Sequence, residues 1–101
     1  MVRYILSPSA KRDIKEIVRY IGQFNPDSAR RLTQAIKQQC KLLANFPNMG
    51  RNQDDFEPGL QSFPVENYLI FYRAAGEGVE IVRVVSGYQD LEAIFSGDEG
   101  E

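Results

Sequence analysis

A chain of 101 residues, 43% hydrophobic and 26% charged, has the size of one domain and can bury a core without metal or disulfide staples. It has no histidine and a single cysteine, Cys40, which excludes histidine acid–base or metal chemistry, an internal disulfide framework and a thiolate-rich zinc site. The net charge of −2 conceals a split: residues 1–51 hold ten basic and three acidic side chains (+7), residues 52–101 two and eleven (−9).

Such a division either pairs internally or offers a basic face to an anionic partner, a phosphate backbone or an acidic peptide. No apolar run approaches the ~20 residues that span a bilayer. The short N-terminal run lacks the cleavage site of a signal peptide, so a soluble, cytoplasmic protein without membrane contact is expected.

Residues 2–6 are β-branched and aromatic and read as a strand stopped by Ser7-Pro8. Ser7 is placed to cap a helix that Pro8 enters. Ala10, Ile14, Ile17, Val18 and Ile21 form its apolar stripe, Lys11, Arg12, Lys15 and Arg19 lie off it, and Gly22 reads as the stop. Asn25-Pro26 repeats the signal and opens a second helix over 27–45, striped by Ala29, Leu32, Ile36, Cys40 and Leu43. A linker of three or four residues makes the pair an antiparallel hairpin.

From residue 51 the period changes. Residues 52–59 read as an acidic loop, 60–65 as a strand kept to an edge by Pro64, and Glu66-Asn67 as a turn into 68–73. Gly76-Glu77-Gly78 turns into a third strand at 79–85, completing an antiparallel meander whose last two members are central. Residues 88–95 suit a short helix with Leu91, Ile94 and Phe95 inward, and 96–101 a flexible acidic tail. The expected fold is α+β, in the order β-αα-βββ-α, with one domain over 1–95.

No phosphate loop, dinucleotide turn or metal-spaced ligand set is present, and no cofactor is expected. Cys40 lies on an apolar stripe and reads as core. Asp54, Asp55 and Glu57 read as a solvated loop. Tyr68, Phe71, Tyr72 and Tyr88 suit strand packing, with base stacking as the functional alternative. Arg83 interrupts a Val/Ile run and needs solvent, a partner protein or a carboxylate, for which Glu66, Glu80 and Asp90 are candidates.

An ordered set of segments resembles the RelE/ParE toxin superfamily of type II toxin–antitoxin modules, the ParE-like branch in particular. These are AKRDIKEIVRYI (10–21), Asn25-Pro26 with Ala29, LANFPNMGR (43–51), PGLQSFP (58–64), NYLIFYR (67–73), and 79–85 followed by Gly87, Asp90-Leu91 and Phe95. The resemblance implies the β-αα-βββ fold. RelE-like members cleave mRNA on the ribosome with basic and aromatic side chains, but Leu69, the neighbourhood of Gln89, and Phe95 stand at those positions here. ParE-like members are non-enzymatic poisons of DNA gyrase silenced by a wrapping antitoxin, and the branch carries Arg, His and a basic residue where this chain has Gln61, Ser86 and Gln89.

The resemblance therefore implies a toxin acting by protein–protein binding, with no catalytic residues and with DNA reached only through the antitoxin. Arg12, Lys15, Arg19, Arg31 and Arg51 are the expected antitoxin contacts. Arg73, Arg83, Tyr88 and Phe95 are the expected contacts with the gyrase target. Two alternatives stay open: a ribosome-dependent endoribonuclease using Arg51, Arg73 or Tyr88, and a toxin fold that binds antitoxin without toxicity.

Overall fold

Proline and a hydrogen-bonding cap start each helix. In the computed structural model, which describes residues 3–87, Ser7 is extended and its Oγ accepts from the Ala10 N–H at 3.0 Å, while Pro8 opens α1 (Pro8–Phe24). Ser7 also joins the layers: its N–H donates to the Ile81 carbonyl (3.0 Å) and its hydroxyl to that of Val82 (2.8 Å).

Helix α1 does not stop at Gly22. It continues to Phe24, with Gly22 facing the second helix, where an added Cβ would make ordinary contact with that of Ala29 at 3.8 Å. The junction is then one residue, Asn25, rather than three or four. Its N–H donates to the Ile21 carbonyl, closing α1, and its Oδ1 accepts from the Ser28 N–H, opening α2 (Pro26–Asn45). A 3-10 turn (Pro47–Met49) follows.

The meander is present as β3 (Gln61–Val65), β4 (Tyr68–Ala75) and β5 (Gly78–Ser86). It belongs to a five-stranded sheet in the order β1-β5-β4-β3-β2. The N-terminal strand, β1 (Tyr4–Leu6), lies parallel to β5 with Tyr4 opposite Val79 and Leu6 opposite Ile81. Only glycine fits at position 78, since a Cβ there would stand 1.7 Å from the Arg3 carbonyl oxygen. The two-residue β2 (Arg51–Asn52) pairs with Gln61 and Ser62 only, so Pro64 lies on an open edge, as its missing N–H requires. Between β4 and β5, Phe71 faces Arg83 while Tyr72 faces Ile81, leaving Val82 as the extra residue of a bulge.

Alternation along β4 divides the packing. Ile70 and Tyr72 join Leu32, Ile36, Cys40 and Leu43 in the core beneath the helices. Phe71 and Leu69 point to the other face, where Leu60, Phe56, Val82 and Val85 form a smaller cluster roofed by the 53–60 loop. The segment expected as a C-terminal helix and the acidic tail lie outside the described residues.

Candidate functional site

Helical spacing gathers the expected antitoxin contacts on α1. Arg12, Lys15 and Arg19 recur at three and four residues, so they share one face, opposite Ala10, Ile14, Ile17 and Ile21, and all three are exposed. Arg31, on α2, is also exposed, its guanidinium 3.1 Å from the Ser28 hydroxyl, as is Arg51 on β2. Among the described residues, none of these five cations has an ion-pair partner. A second α2 stripe of Arg30, Lys37 and Lys41 adds to the basic surface, with Arg30 paired to Asp27.

The sheet arginines are held within the fold. Arg73 bonds Glu57 of the loop and, at 3.2 Å, Glu80 of β5. Arg83 pairs with neither Glu66 nor Glu80. It meets Asp13 of α1 through Nε (2.7 Å) and Nη2 (3.0 Å), and the same carboxylate accepts from the Val84 N–H (2.9 Å). The Asp13 hydrogen bonds hold the Arg83 pKa above its ordinary value, against a smaller opposing effect of burial. Arg73 and Arg83 serve different layers, loop against sheet and helix against sheet. Tyr88 and Phe95, the other expected target contacts, lie outside the described residues.

Beside Asp13, a cleft of about 340 Å³ opens between α1 and the β4–β5 strands, lined among others by Glu16, Tyr20 and Tyr68. At its rim Tyr20 and Phe24 form an edge-on pair with ring centroids 5.4 Å apart, both largely exposed.

Past α2 the chain is fixed by Tyr72, which the sequence suggested for strand packing or base stacking rather than as an anchor. Its hydroxyl accepts from the Gly50 N–H (2.8 Å) and donates to the Pro47 carbonyl (2.9 Å), with Gln61 Oε1 at 3.2 Å. Burial raises the phenol pKa, partly countered by the Gly50 bond. A side chain at Gly50 would strike Tyr72 Oη at 2.2 Å and the Ser62 carbonyl at 2.8 Å, so the glycine of LANFPNMGR is there for close approach.

The remaining candidates take structural roles. Burial lifts the Cys40 thiol pKa to about 12, far from a working nucleophile. Asp54 accepts from the Asn52 side chain and the Gly59 N–H, in that order of effect, which lowers its pKa, and Glu57 is committed to Arg73. Among the described residues, no group of three His, Cys, Asp or Glu could hold a metal ion, and no helix is long and apolar enough to cross a membrane. What sequence reasoning missed is apolar: Leu42, Phe46 and Met49 stand exposed around the end of α2.

Residues 4–91 match the family described as ParE toxin of type II toxin-antitoxin system, parDE. Three toxins of Caulobacter vibrioides are similar in sequence. Toxin ParE3 is 41% identical over 58 residues, covering 57% of this chain and 58% of that one. Toxin ParE1 is 29% identical over 94 residues, covering 92% and 95%. Toxin RelE2 is 33% identical over 84 residues, covering 83% and 93%. Among solved structures, a chain of the chromosomal ParDE TA system from P. aeruginosa has the same fold, with a TM-score of 0.71 at 22% identity over 85% of this chain and 96% of that one.

Proposed function

The chain belongs to the ParE toxin family of type II toxin–antitoxin systems, and from that premise we propose that it acts by protein–protein binding, inhibiting DNA gyrase and being silenced by a cognate antitoxin. The observation that carries this reading is the contrast between its two sets of cations. Arg73 and Arg83 are engaged with carboxylates inside the fold, whereas Arg12, Lys15, Arg19, Arg31 and Arg51 are exposed without an ion-pair partner among the described residues. Cations left on the outside of a helical hairpin favour a partner that brings carboxylates, and they steer its approach. The antitoxin would lay an amphipathic, acid-bearing segment against the α1 stripe. The gyrase surface would use Arg73, Arg83, Tyr88 and Phe95.

The likeness to a toxin named RelE2 supports a second reading, ribosome-dependent mRNA cleavage with Arg51, Arg73 or Tyr88 as working groups. Arg73 would first have to leave Glu57 and Glu80. Expression in a bacterial host separates the readings. The gyrase reading predicts growth arrest with induced DNA damage response and intact translated mRNA, reversed by co-expression of a short neighbouring reading frame encoding the antitoxin. Primer extension showing cuts in the ribosomal A site would establish the second reading instead. No arrest at all would leave a toxin fold without toxicity.

A further inference from the structure

The exposed apolar residues at the end of α2 sit within a stretch of chain that carries a single charge sign. No Asp or Glu occurs between Asp27 and Asp54, while Arg30, Arg31, Lys37, Lys41 and Arg51 fall in that interval. Leu42, Phe46 and Met49 are 43%, 59% and 37% exposed, next to a shallow hollow of about 510 Å³ lined by Asn45, Phe46, Pro47, Asn48 and Met49. Phe46 and Met49 line that hollow together and Leu42 stands one helical turn before Phe46, and exposed side chains clustered in this way mark an interaction site more often than an isolated surface leucine does. The patch is also rigidly presented. The Phe46 N–H donates to the Leu42 carbonyl (2.9 Å), the Met49 N–H to the Phe46 carbonyl (3.1 Å), and the Tyr72 hydroxyl holds Pro47 from the sheet. A surface fixed in advance loses little entropy when a partner seats on it.

Its position on the helix identifies the occupant. Arg31, Gln38 and Leu42 are spaced by seven and four residues and so lie on one stripe, which rises about 16 Å from the cation to the apolar patch. We propose that Leu42, Phe46 and Met49 form the apolar anchor site of the antitoxin. The acidic segment that meets Arg31 runs on along α2 and seats two or three apolar side chains against Phe46, with carboxylates toward Lys41 and Arg51. This rests on the antitoxin reading above and adds where the partner's apolar face goes. Apolar contact supplies the residence time here, and the charges supply the approach rate.

The test is the affinity of the purified chain for the antitoxin encoded beside it, measured by calorimetry with single and paired variants. Leu42→Ser with Phe46→Ser is expected to weaken the complex by about tenfold or more, with only a small drop in the thermal midpoint because much of both side chains is already exposed. Phe46→Leu is expected to keep most of the affinity. A complex of unchanged affinity in the paired variant, while Lys15→Glu with Arg19→Glu weakens it, overturns the anchor site and keeps the antitoxin reading. Failure of the unaltered chain to bind its antitoxin overturns both. Binding of a plain DNA duplex that Lys37→Glu with Lys41→Glu abolishes would assign this surface to nucleic acid and overturn the proposal.

Discussion

Asp13 and Arg83, 70 residues apart in the chain, meet through two hydrogen bonds of 2.7 and 3.0 Å and fasten α1 to the last strand of the sheet. The same carboxylate takes the Val84 N–H, so one side chain satisfies both a strand cation and a strand backbone donor. Both partners are mostly buried, with side-chain exposures of 14% for Asp13 and 29% for Arg83. Removing one member would strand the other.

Asp13→Ala is therefore expected to cost about 3 kcal/mol, on the order of 15 °C in Tm. Asp13→Asn, which keeps an acceptor for Val84, is expected to cost less. Thermal unfolding of the two variants checks this order, and equal costs would contradict the account of Val84.

Tyr72→Phe leaves the Gly50 N–H and the Pro47 carbonyl without their partner and is expected to cost about 1–2 kcal/mol. Hydrogen exchange at Gly50 would accelerate with it. Gly50→Ala is expected to cost more, because its Cβ would overlap both Tyr72 Oη and the Ser62 carbonyl. Chemical denaturation of the two variants ranks them.

Cys40 is expected to resist alkylation at pH 8 in the native protein and to react once the chain unfolds. Its folded pKa of about 12 exceeds the ordinary value of 9.0. Folding therefore favours the protonated thiol. That contribution is complete below pH 9 and declines as pH rises toward 12, where only the unfolded chain gains by losing the proton. Cys40→Ala should flatten this alkaline decline in stability, read by thermal melts across that range.

Lys15→Glu with Arg19→Glu is expected to weaken the antitoxin complex and flatten its salt dependence, since these exposed charges act over a screened distance. The fold should be unaffected, because neither side chain has an ion-pair partner among the described residues. Titrations at two ionic strengths measure both effects.

Local chemistry made most of the elements legible in the chain. Ser7-Pro8 and Asn25-Pro26 announce their helices because cap and proline act within four residues. Gly22 reads as a stop from its residue type, yet a glycine inside a helix costs only about 1 kcal/mol, and α1 closes at Asn25, whose N–H donates to the Ile21 carbonyl. The parallel pairing of β1 with β5 and the choice of Asp13 for Arg83 are nonlocal. Glu66 and Glu80 are nearer to Arg83 in sequence, but the chain's path brings Asp13 of α1 to it, while Asp90 lies outside the described residues. Of the site, the α1 cation stripe could be read from spacing. The apolar patch could not, because Leu42 and Phe46 alternate with the buried Leu43 and Ala44, and only the packed helix shows which of these neighbours stay exposed.

The most direct test of the toxin reading is supercoiling of relaxed plasmid by purified DNA gyrase in the presence of this chain. Micromolar protein is expected to suppress supercoiling and accumulate cleaved plasmid, and equimolar antitoxin to restore the normal product. Unchanged supercoiling, with no cleaved plasmid at any concentration up to tens of micromolar, would contradict gyrase as the target.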